Sequence, residues 1–248
     1  MKEIQYGRQS FSPETEGKQK ISLLPTVCMF IVFMCFSGSA SAGIGAVHRD
    51  VPSVIDTNAR YLFYLHGQAI ERGGRHAQSY DYQGIIRALA DRGFIVIGEE
   101  RGPIDNRPYA KKVSGQVEKL LAAGVPAMNI TVAGHSKGGM ITLIVMTMLD
   151  NPDIAYANFA GCGLEGGSRS GGIGRFAAEE ASKARGRLLS AYERGDAISG
   201  SCKAVMEKMS GAFARERVLD FGGGHELFYK PDKAWIDILQ AWAERREQ

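Results

Sequence analysis

Short apolar runs alternate with helical patterns from residue 61 to the end of the chain. The runs are rich in Val, Ile, Tyr and Phe, and they cover residues 61–65, 94–98, 130–133, 155–160, 188–192 and 218–221. They are continuous rather than alternating, which is typical of strands covered on both faces of a sheet. The pattern therefore predicts six strands in a mostly parallel central sheet.

Helical periodicity occupies the intervals between these runs. Apolar residues recur at spacings of three and four in 85–90, 113–121 and 235–242, and a glycine follows each of the first two segments. Residues 140–149 are apolar almost all round, which predicts the most buried helix. Strands that alternate with helices are typical of an α/β fold with helices on both faces of the sheet and right-handed crossovers. We therefore expect one α/β domain.

The composition is that of an ordinary globular protein. Of the 248 residues, 44% are hydrophobic and 23% are charged, which is close to the average for globular domains. The 30 basic and 27 acidic residues leave a formal charge of +3, and they are spread evenly along the chain. This balance argues against nucleic acid as a partner.

The amino-terminal residues are ordered as in an export signal. Lys18 and Lys20 precede an unbroken apolar run at 27–36, and the small residues 37–42 follow it directly. The run is shorter than the roughly 20 apolar residues that span a bilayer. We therefore predict a signal peptide at 1–42, a mature domain at 43–248 and export to the periplasm or medium, with membrane contact only through the signal. An uncleaved membrane anchor is the alternative.

Two cysteines, Cys162 and Cys202, fall in the part of the chain that would be exported. An oxidising compartment permits disulfides, so we predict that these two cysteines pair. Two buried free thiols are the alternative.

The sequence Gly134-His135-Ser136-Lys137-Gly138 matches the motif G-x-S-x-G. A predicted strand runs into the motif and a predicted helix runs out of it, which is the strand, sharp turn and helix that hold a serine hydroxyl above a sheet edge. A phosphate-binding loop is the alternative, since glycine-rich turns at helix starts bind anions. The Walker spacing is absent, however, because Lys137 precedes the second glycine instead of following it.

Taken with this motif, residues 61–248 resemble the α/β-hydrolase superfamily. Residues 61–67 look like the family's third strand and the His-Gly turn after it, and the Ser136 motif looks like its nucleophile elbow. Residues 192–196 look like the strand end and acid loop, and 222–225 look like the histidine loop. These features occur in the family's order of Ser, Asp and His.

The resemblance implies a role for each matching residue. Ser136 would be the nucleophile, His225 its general base, and Asp196 the acid that orients the imidazole. The backbone N–H groups of Gln68 and Lys137 would form the oxyanion hole. Glu193, three residues before Asp196, is an alternative acid.

Three departures from the family pattern modify these expectations. The antiparallel strands that usually open the sheet are not evident between residues 43 and 60, where only 53–55 looks extended, so we expect a sheet truncated at one edge. No large cap domain fits between residues 162 and 187, where 165–174 holds five glycines and predicts a surface loop. Lys137 places a charge where the family often has a neutral residue, and its side chain would either extend to solvent or favour an anionic substrate.

Other polar residues are candidates for substrate contacts. They lie on loops expected near the carboxyl edge of the sheet, where open α/β sheets bind ligands: Glu71, His76, Glu100 and Arg101. A solvated cluster of salt bridges is the alternative interpretation. His66 is expected to bond nearby backbone. The histidines show no metal-ligand spacing such as H-E-x-x-H, so we predict no metal and no cofactor.

These features predict an exported serine hydrolase, an esterase that forms an acyl-enzyme on Ser136 and acts on a small-molecule or exposed ester. Peptidase and thioesterase activities remain open, because the fold does not set the substrate. A hydrolase-like fold that serves as a non-catalytic binding or interaction protein is the alternative from another class. The sequence leaves the oligomeric state open.

Overall fold

The computed structural model describes residues 45–73, 75–164, 166–167 and 170–246, and the side chains of Arg75, His76 and Ser170 are not described. The predicted signal peptide at 1–42 lies outside this range and stays a prediction. Among the described residues, no helix combines the length and the apolarity needed to span a bilayer.

Seven parallel strands form one sheet in the described part of the chain. They are β1 Ala46–His48, β2 Arg60–Leu65, β3 Phe94–Ile97, β4 Ile130–His135, β5 Ala155–Phe159, β6 Arg185–Glu193 and β7 Gly211–Leu219. The spatial order is β1-β3-β2-β4-β5-β6-β7, and every pairing of neighbouring strands is parallel.

Eight α-helices connect these strands or follow them in the described residues. They are α1 Gln68–Arg72, α2 Arg75–Ser79, α3 Tyr82–Ala90, α4 Asn106–Ala122, α5 Lys137–Met148, α6 Ser170–Glu179, α7 Lys203–Met206 and α8 Lys233–Ala243. Short 3₁₀ helices cover Ala127–Asn129, Ala181–Lys183 and Gly224–Tyr229. The predicted α/β architecture is confirmed.

Alternate side chains of β2 enter opposite sides of the sheet. Tyr61, Phe63 and Leu65 pack into a core that includes apolar residues of α4 and α5, whereas Leu62 and Tyr64 pack into a core that includes α3 and α8. Burial on both faces explains why the central strands are continuous apolar runs. Helix α5 has eight buried residues among its twelve, as its all-round apolar pattern predicts.

The strand order reverses between β2 and β4. From β2 the sheet extends one way through β3 to β1, and from β4 it extends the other way to β7. Open α/β sheets bind ligands beyond the carboxyl ends of the strands at such a reversal. The segments that begin with Gln68 after β2 and with Ser136 after β4 therefore meet where a site is expected.

Both edges of the sheet differ from the prediction made from the pattern. The opening strand is Ala46–His48, which pairs with β3, and residues 53–55 are not a strand. At the other edge, β7 begins at Gly211 rather than at 218. Its polar residues escaped detection because an edge strand pairs on one side only and tolerates charges.

The glycine-rich segment also differs from its prediction. Helix α6 begins at Ser170, inside the interval predicted to be a loop. Glycine costs a helix about 1 kcal/mol relative to alanine, but that preference is weak, and the buried Phe176 and Ala177 anchor the helix to the core. The described residues between β5 and β6 form only α6 and the 3₁₀ helix Ala181–Lys183, which agrees with the expected lack of a large cap.

Candidate active site

Ser136 lies in a strained turn between β4 and α5. Its φ of 55° and ψ of −116° are a conformation that non-glycine residues rarely adopt and that costs of order 1–3 kcal/mol. The turn is held by the Ser136 N–H, which donates to the Phe159 carbonyl at 2.8 Å. The side chain stands at the carboxyl end of β4, directly before the first turn of α5.

The glycines around Ser136 are required by close backbone contacts. A Cβ on Gly134 would lie 2.4 Å from the carbonyl carbon of Gly138, and one on Gly138 would lie 1.9 Å from the Leu65 oxygen. Both distances are far below van der Waals contact. The two glycines of the motif therefore allow β4, α5 and the end of β2 to approach one another.

His225 follows three consecutive glycines with left-handed backbone conformations. Gly222, Gly223 and Gly224 have φ values of 77°, 86° and 53°, which residues with a Cβ rarely adopt. This turn leads from the end of β7 into the 3₁₀ helix Gly224–Tyr229 and brings the His225 ring back over the sheet edge.

Asp196 is hydrogen bonded to His225. The His225 Nδ1 lies 2.8 Å from the Asp196 Oδ2, and both side chains are buried. The Asp196 Oδ1 accepts the N–H groups of Ile198 at 2.7 Å and Ser199 at 2.9 Å. Burial raises the pKa of Asp196, but the hydrogen bond and charge of His225 and the two amides lower it by more, so the net pKa lies below the ordinary value.

Glu193, the alternative acid, has a different role. Its side chain accepts the N–H of Gly195 at 2.6 Å and that of Gly222 at 3.2 Å, so it links the end of β6 to the histidine loop. The structure thus brings Asp196 rather than Glu193 to the imidazole.

Ser136 and His225 line one cleft, and Ser136 also lines a second. The smaller cleft has a volume of about 170 Å³ and includes Gln68, Ile198 and Tyr229. The larger, about 610 Å³, includes Gln68 and Lys137 and extends toward α4 and α6. The serine therefore stands between two spaces of unequal size.

The proposed oxyanion donors, Gln68 and Lys137, are the first residues of α1 and α5. The N–H groups in the first turn of a helix have no partner within the helix and favour negative charge. The turn before α1 touches the elbow, because a Cβ on Gly67 would lie 3.4 Å from the Ser136 Cβ. Both residues line the larger cleft with Ser136.

The candidate substrate contacts do not act as one group. Glu71 and Arg101 pair with each other at 2.6 Å, and both side chains are only 2% exposed, so this pair is not a solvated salt bridge. Glu100 is exposed at its position in the sequence and accepts from Gln83 Nε2 at 2.6 Å. His76 lies in α2, and its side chain is outside the described part. The Lys137 ammonium is turned to Glu71 at 2.6 Å.

His66 bonds backbone on both sides of its ring, as expected. Nδ1 lies 2.9 Å from the Gly67 oxygen, and Nε2 accepts the N–H of Arg101 at 2.9 Å, so the proton resides on Nδ1. Burial and the nearby charge of Arg101 lower the pKa of His66 to about 3, although the bond to Gly67 acts in the opposite direction. The ring therefore stays neutral in the folded protein.

We expect His66 to make the folded protein sensitive to acid. Below pH 6.5 the unfolded chain binds a proton at this histidine, whereas the native state does not until the pH approaches 3. Stability is therefore complete above 6.5 and falls on acidification, by about 1.4 kcal/mol per pH unit within this window. Urea unfolding between pH 7.5 and 4.5 measures the slope. His66→Gln keeps one donor and one acceptor but does not titrate, so it should reduce the slope of the free energy of unfolding against pH. Equal slopes for the wild-type protein and the variant would contradict the prediction.

Two further residues support the histidine and escaped the sequence interpretation. The Ser199 Oγ lies 3.5 Å from the His225 Nδ1 and donates to the Ala160 oxygen at 2.7 Å. The His135 ring packs 4.6 Å from the His225 ring, centroid to centroid. Ser199 had a signal, because an aspartate side chain often accepts backbone N–H groups two and three residues later. His135 had none beyond its place in the motif.

Cys162 and Cys202 form the predicted disulfide, with Cα atoms 5.4 Å apart. The bridge joins the loop after β5 to the segment that follows Asp196. The Gly200 N–H also donates to the Cys162 oxygen at 3.0 Å, and the buried Asn158 amide donates to the Cys202 sulfur at 2.9 Å. The bridge thus holds the acid loop against the sheet.

Loss of this bridge is expected to lower the free energy of unfolding by about 2 to 5 kcal/mol, given a sequence separation of 40 residues. Urea unfolding of the oxidised protein and of Cys162→Ala/Cys202→Ala measures the difference. Hydrogen exchange should quicken first at the Ile198 and Ser199 amides and later at the turn around Ser136. Faster exchange at Ser136 first would contradict a role in holding the acid.

Within the described residues, no group of three or more His, Cys, Asp and Glu side chains is arranged to hold a metal ion. Ser136 thus shares a cleft with the His225 imidazole, which is bonded to the Asp196 carboxylate, and lies beside the starts of two helices.

Comparisons with known proteins relate this chain to others by structure rather than by sequence. No family model matches it, and a search of curated proteins finds no significant match. A lipase-esterase related protein from Clostridium acetobutylicum ATCC 824 has a similar structure, with a TM-score of 0.51, 11% identity, and coverage of 76% of this chain and 97% of that one. A candidate dienelactone hydrolase from Klebsiella pneumoniae gives a TM-score of 0.50, 16% identity, and coverage of 78% and 90%. The parallel sheet, the sharp turn after β4 and these likenesses together show that this chain has the α/β-hydrolase fold.

Proposed function

We propose that this protein is an exported serine hydrolase that cleaves esters through an acyl-enzyme on Ser136. The observation that carries the proposal is that Ser136, at a strained elbow, lines one cleft with His225, whose other side is bonded to Asp196 at 2.8 Å. Export is supported by the order of basic, apolar and small residues at the amino terminus and by the disulfide.

The proposed reaction begins with proton transfer from the Ser136 hydroxyl to the His225 Nε2 while the oxygen attacks the ester carbonyl carbon. Asp196 accepts from the His225 Nδ1 and stabilises the imidazolium. The tetrahedral intermediate collapses when the bond to the alcohol breaks and His225 returns the proton to the leaving oxygen. Water then attacks the acyl-enzyme by the same sequence and frees Ser136.

The negative charge of the tetrahedral intermediate would be stabilised by the backbone N–H groups of Gln68 and Lys137. Each preorganised donor of this kind typically contributes about 2.7–4 kcal/mol to lowering the barrier. Both donors belong to the backbone, so replacing these side chains should cost less than replacing Ser136.

The two clefts favour an ester with unequal halves. The leaving oxygen must lie beside His225, and this histidine lines the smaller cleft of about 170 Å³, so the alcohol would be small. The acyl group would occupy the larger cleft of about 610 Å³, where the apolar Met140 and Ile173 adjoin the polar Asp105, Asn106 and Arg175. An acyl group with an apolar body and a polar end fits this lining best.

A fluorophosphonate probe tests the proposal, because it modifies only a serine that its base activates. We expect one adduct, located on Ser136 by peptide mass spectrometry, and turnover of methyl or p-nitrophenyl esters that the probe abolishes. Faster turnover of a matched thioester or peptide would change the substrate class. A folded protein without any adduct on Ser136 would favour a non-catalytic binding protein.

A further inference from the structure

A buried ion triad lies beside the proposed oxyanion hole. The Glu71 Oε1 accepts from the Arg101 Nε, and the Glu71 Oε2 accepts from the Lys137 Nζ, each at 2.6 Å. The Glu71 and Arg101 side chains are 2% exposed, and that of Lys137 is 16% exposed. One carboxylate thus joins two cations in a site from which water is largely excluded.

The triad connects the segments that follow three adjacent strands. Glu71 belongs to α1, after β2, and Lys137 begins α5, after β4. Arg101 follows β3; its backbone N–H donates to the His66 Nε2 at 2.9 Å, and its guanidinium also donates to the His66 carbonyl. The Lys137 ammonium additionally donates to the Ile104 oxygen at 2.6 Å.

Helix α1 is short and only half-buried, although Ala69 and Ile70 pack against the core. None of its five residues is fully buried, and no side chain caps its amino terminus. A surface helix is normally fixed by an apolar face, and five residues are too few for an isolated helix to persist. The ion pairs of Glu71 add directional contacts to this packing and so help to fix α1, and with it the N–H of Gln68.

A buried ion pair is a poor way to gain stability, since desolvation of the charges offsets most of their attraction. The role of the triad here is to fix the position of α1 relative to α5. Glu71 draws the start of α5 and the body of α1 together, and the two helix starts carry the proposed donors at Lys137 and Gln68. The triad also retains one unbalanced positive charge on the side where the oxyanion would form.

We propose that Glu71 is a positioning residue for the oxyanion hole. With Arg101 and Lys137 it orients the backbone N–H groups of Gln68 and Lys137 so that both point at one position in front of the Ser136 hydroxyl. This inference rests on the proposed function. It predicts that loss of the bridge weakens binding of the tetrahedral intermediate more than binding of the ester, so that kcat falls and KM changes little.

Glu71→Gln is the main test, because it keeps the shape of the side chain but turns an N–H₂ group toward one of the two cations. We expect kcat to fall about 10- to 100-fold, less than the 10²–10³ typical of a deleted donor, with KM changed less than threefold. Affinity for an alkyl boronic acid, whose adduct mimics the tetrahedral intermediate, should fall by the same factor. Lys137→Met removes the ammonium that bonds Glu71 but keeps the backbone N–H, so it should lower kcat and boronate affinity in the same way.

Glu244→Gln is the matched control. Glu244 pairs with Arg60 at the amino end of β2, whereas the candidate site lies beyond the carboxyl ends of the strands. Loss of this pair should therefore lower the melting temperature without changing kcat or boronate affinity. If Glu71→Gln and Lys137→Met lower the melting temperature but leave both readouts at wild-type values, the triad is only structural and the inference is overturned. Failure of the proposed function is separate: wild-type protein would then show neither an adduct on Ser136 nor turnover.

Discussion

Ser136→Ala is expected to abolish adduct formation and to lower kcat for ester hydrolysis by roughly 10⁵- to 10⁶-fold, the size of effect seen when a catalytic serine is removed. The alanine lacks the oxygen that attacks the carbonyl, while the clefts and the backbone donors remain. Residual rate above that in water would come from those donors alone. Intact mass after probe treatment and steady-state kinetics with a p-nitrophenyl ester measure both effects.

Stability distinguishes this result from damage to the fold. Alanine has the same Cβ as serine at the φ of 55°, so Ser136→Ala should unfold near the wild-type temperature. Ser136→Gly should be equally inactive but about 1 kcal/mol more stable, because glycine adopts this conformation without strain. Ser210→Ala, at an exposed serine beside β7, should retain full activity. Turnover by folded Ser136→Ala above a tenth of the wild-type rate would exclude Ser136 as the nucleophile.

Asp196→Asn is expected to lower kcat by about 10⁴-fold with little change in shape. The carboxylate accepts from the His225 Nδ1 at 2.8 Å, which fixes the proton on Nδ1 and leaves Nε2 free to accept the proton of Ser136. An asparagine can turn its N–H₂ group toward Nδ1 and so favour the wrong tautomer. Steady-state kinetics and the rate of labelling by the fluorophosphonate should fall together.

Glu193→Gln is the matched control for this substitution. Glu193 is also buried, but its partners are the N–H groups of Gly195 and Gly222. Its loss should therefore lower the free energy of unfolding by more than it raises the activation free energy of the reaction. A larger loss of kcat in folded Glu193→Gln than in Asp196→Asn would assign the acid to Glu193 instead.

The central strands and most long helices are predictable from the sequence because burial on both faces leaves a strong local signal. Residues 61–65 and 130–133, for example, are almost wholly apolar and lie in the middle of the sheet. The edges lack that signal. Strand β1 has only three residues, and β7 carries charges along one open side, so neither has to be apolar throughout.

The proposed nucleophile is predictable for a related reason, since close backbone approach around Ser136 demands glycine at fixed spacing. The left-handed turn before His225 likewise demands glycine. The partner of His225 is less evident from sequence, because Asp196 and Glu193 are both acids near the end of β6. The path of the chain after β6 directs Asp196 to the imidazole and Glu193 to backbone N–H groups.

By itself the sequence determined the α/β architecture, the elbow at Ser136 and the set of residues from which a site could be assembled, because these depend on local apolar pattern and local backbone sterics. The tertiary structure decided which carboxylate meets His225, and it decided that Glu71, Arg101 and Lys137 form one buried triad instead of a solvated cluster. The physical reason is that a charge's partner and its exposure to water depend on which segments the sheet order brings together, and residues separated by 30 to 66 positions leave no local pattern of that contact.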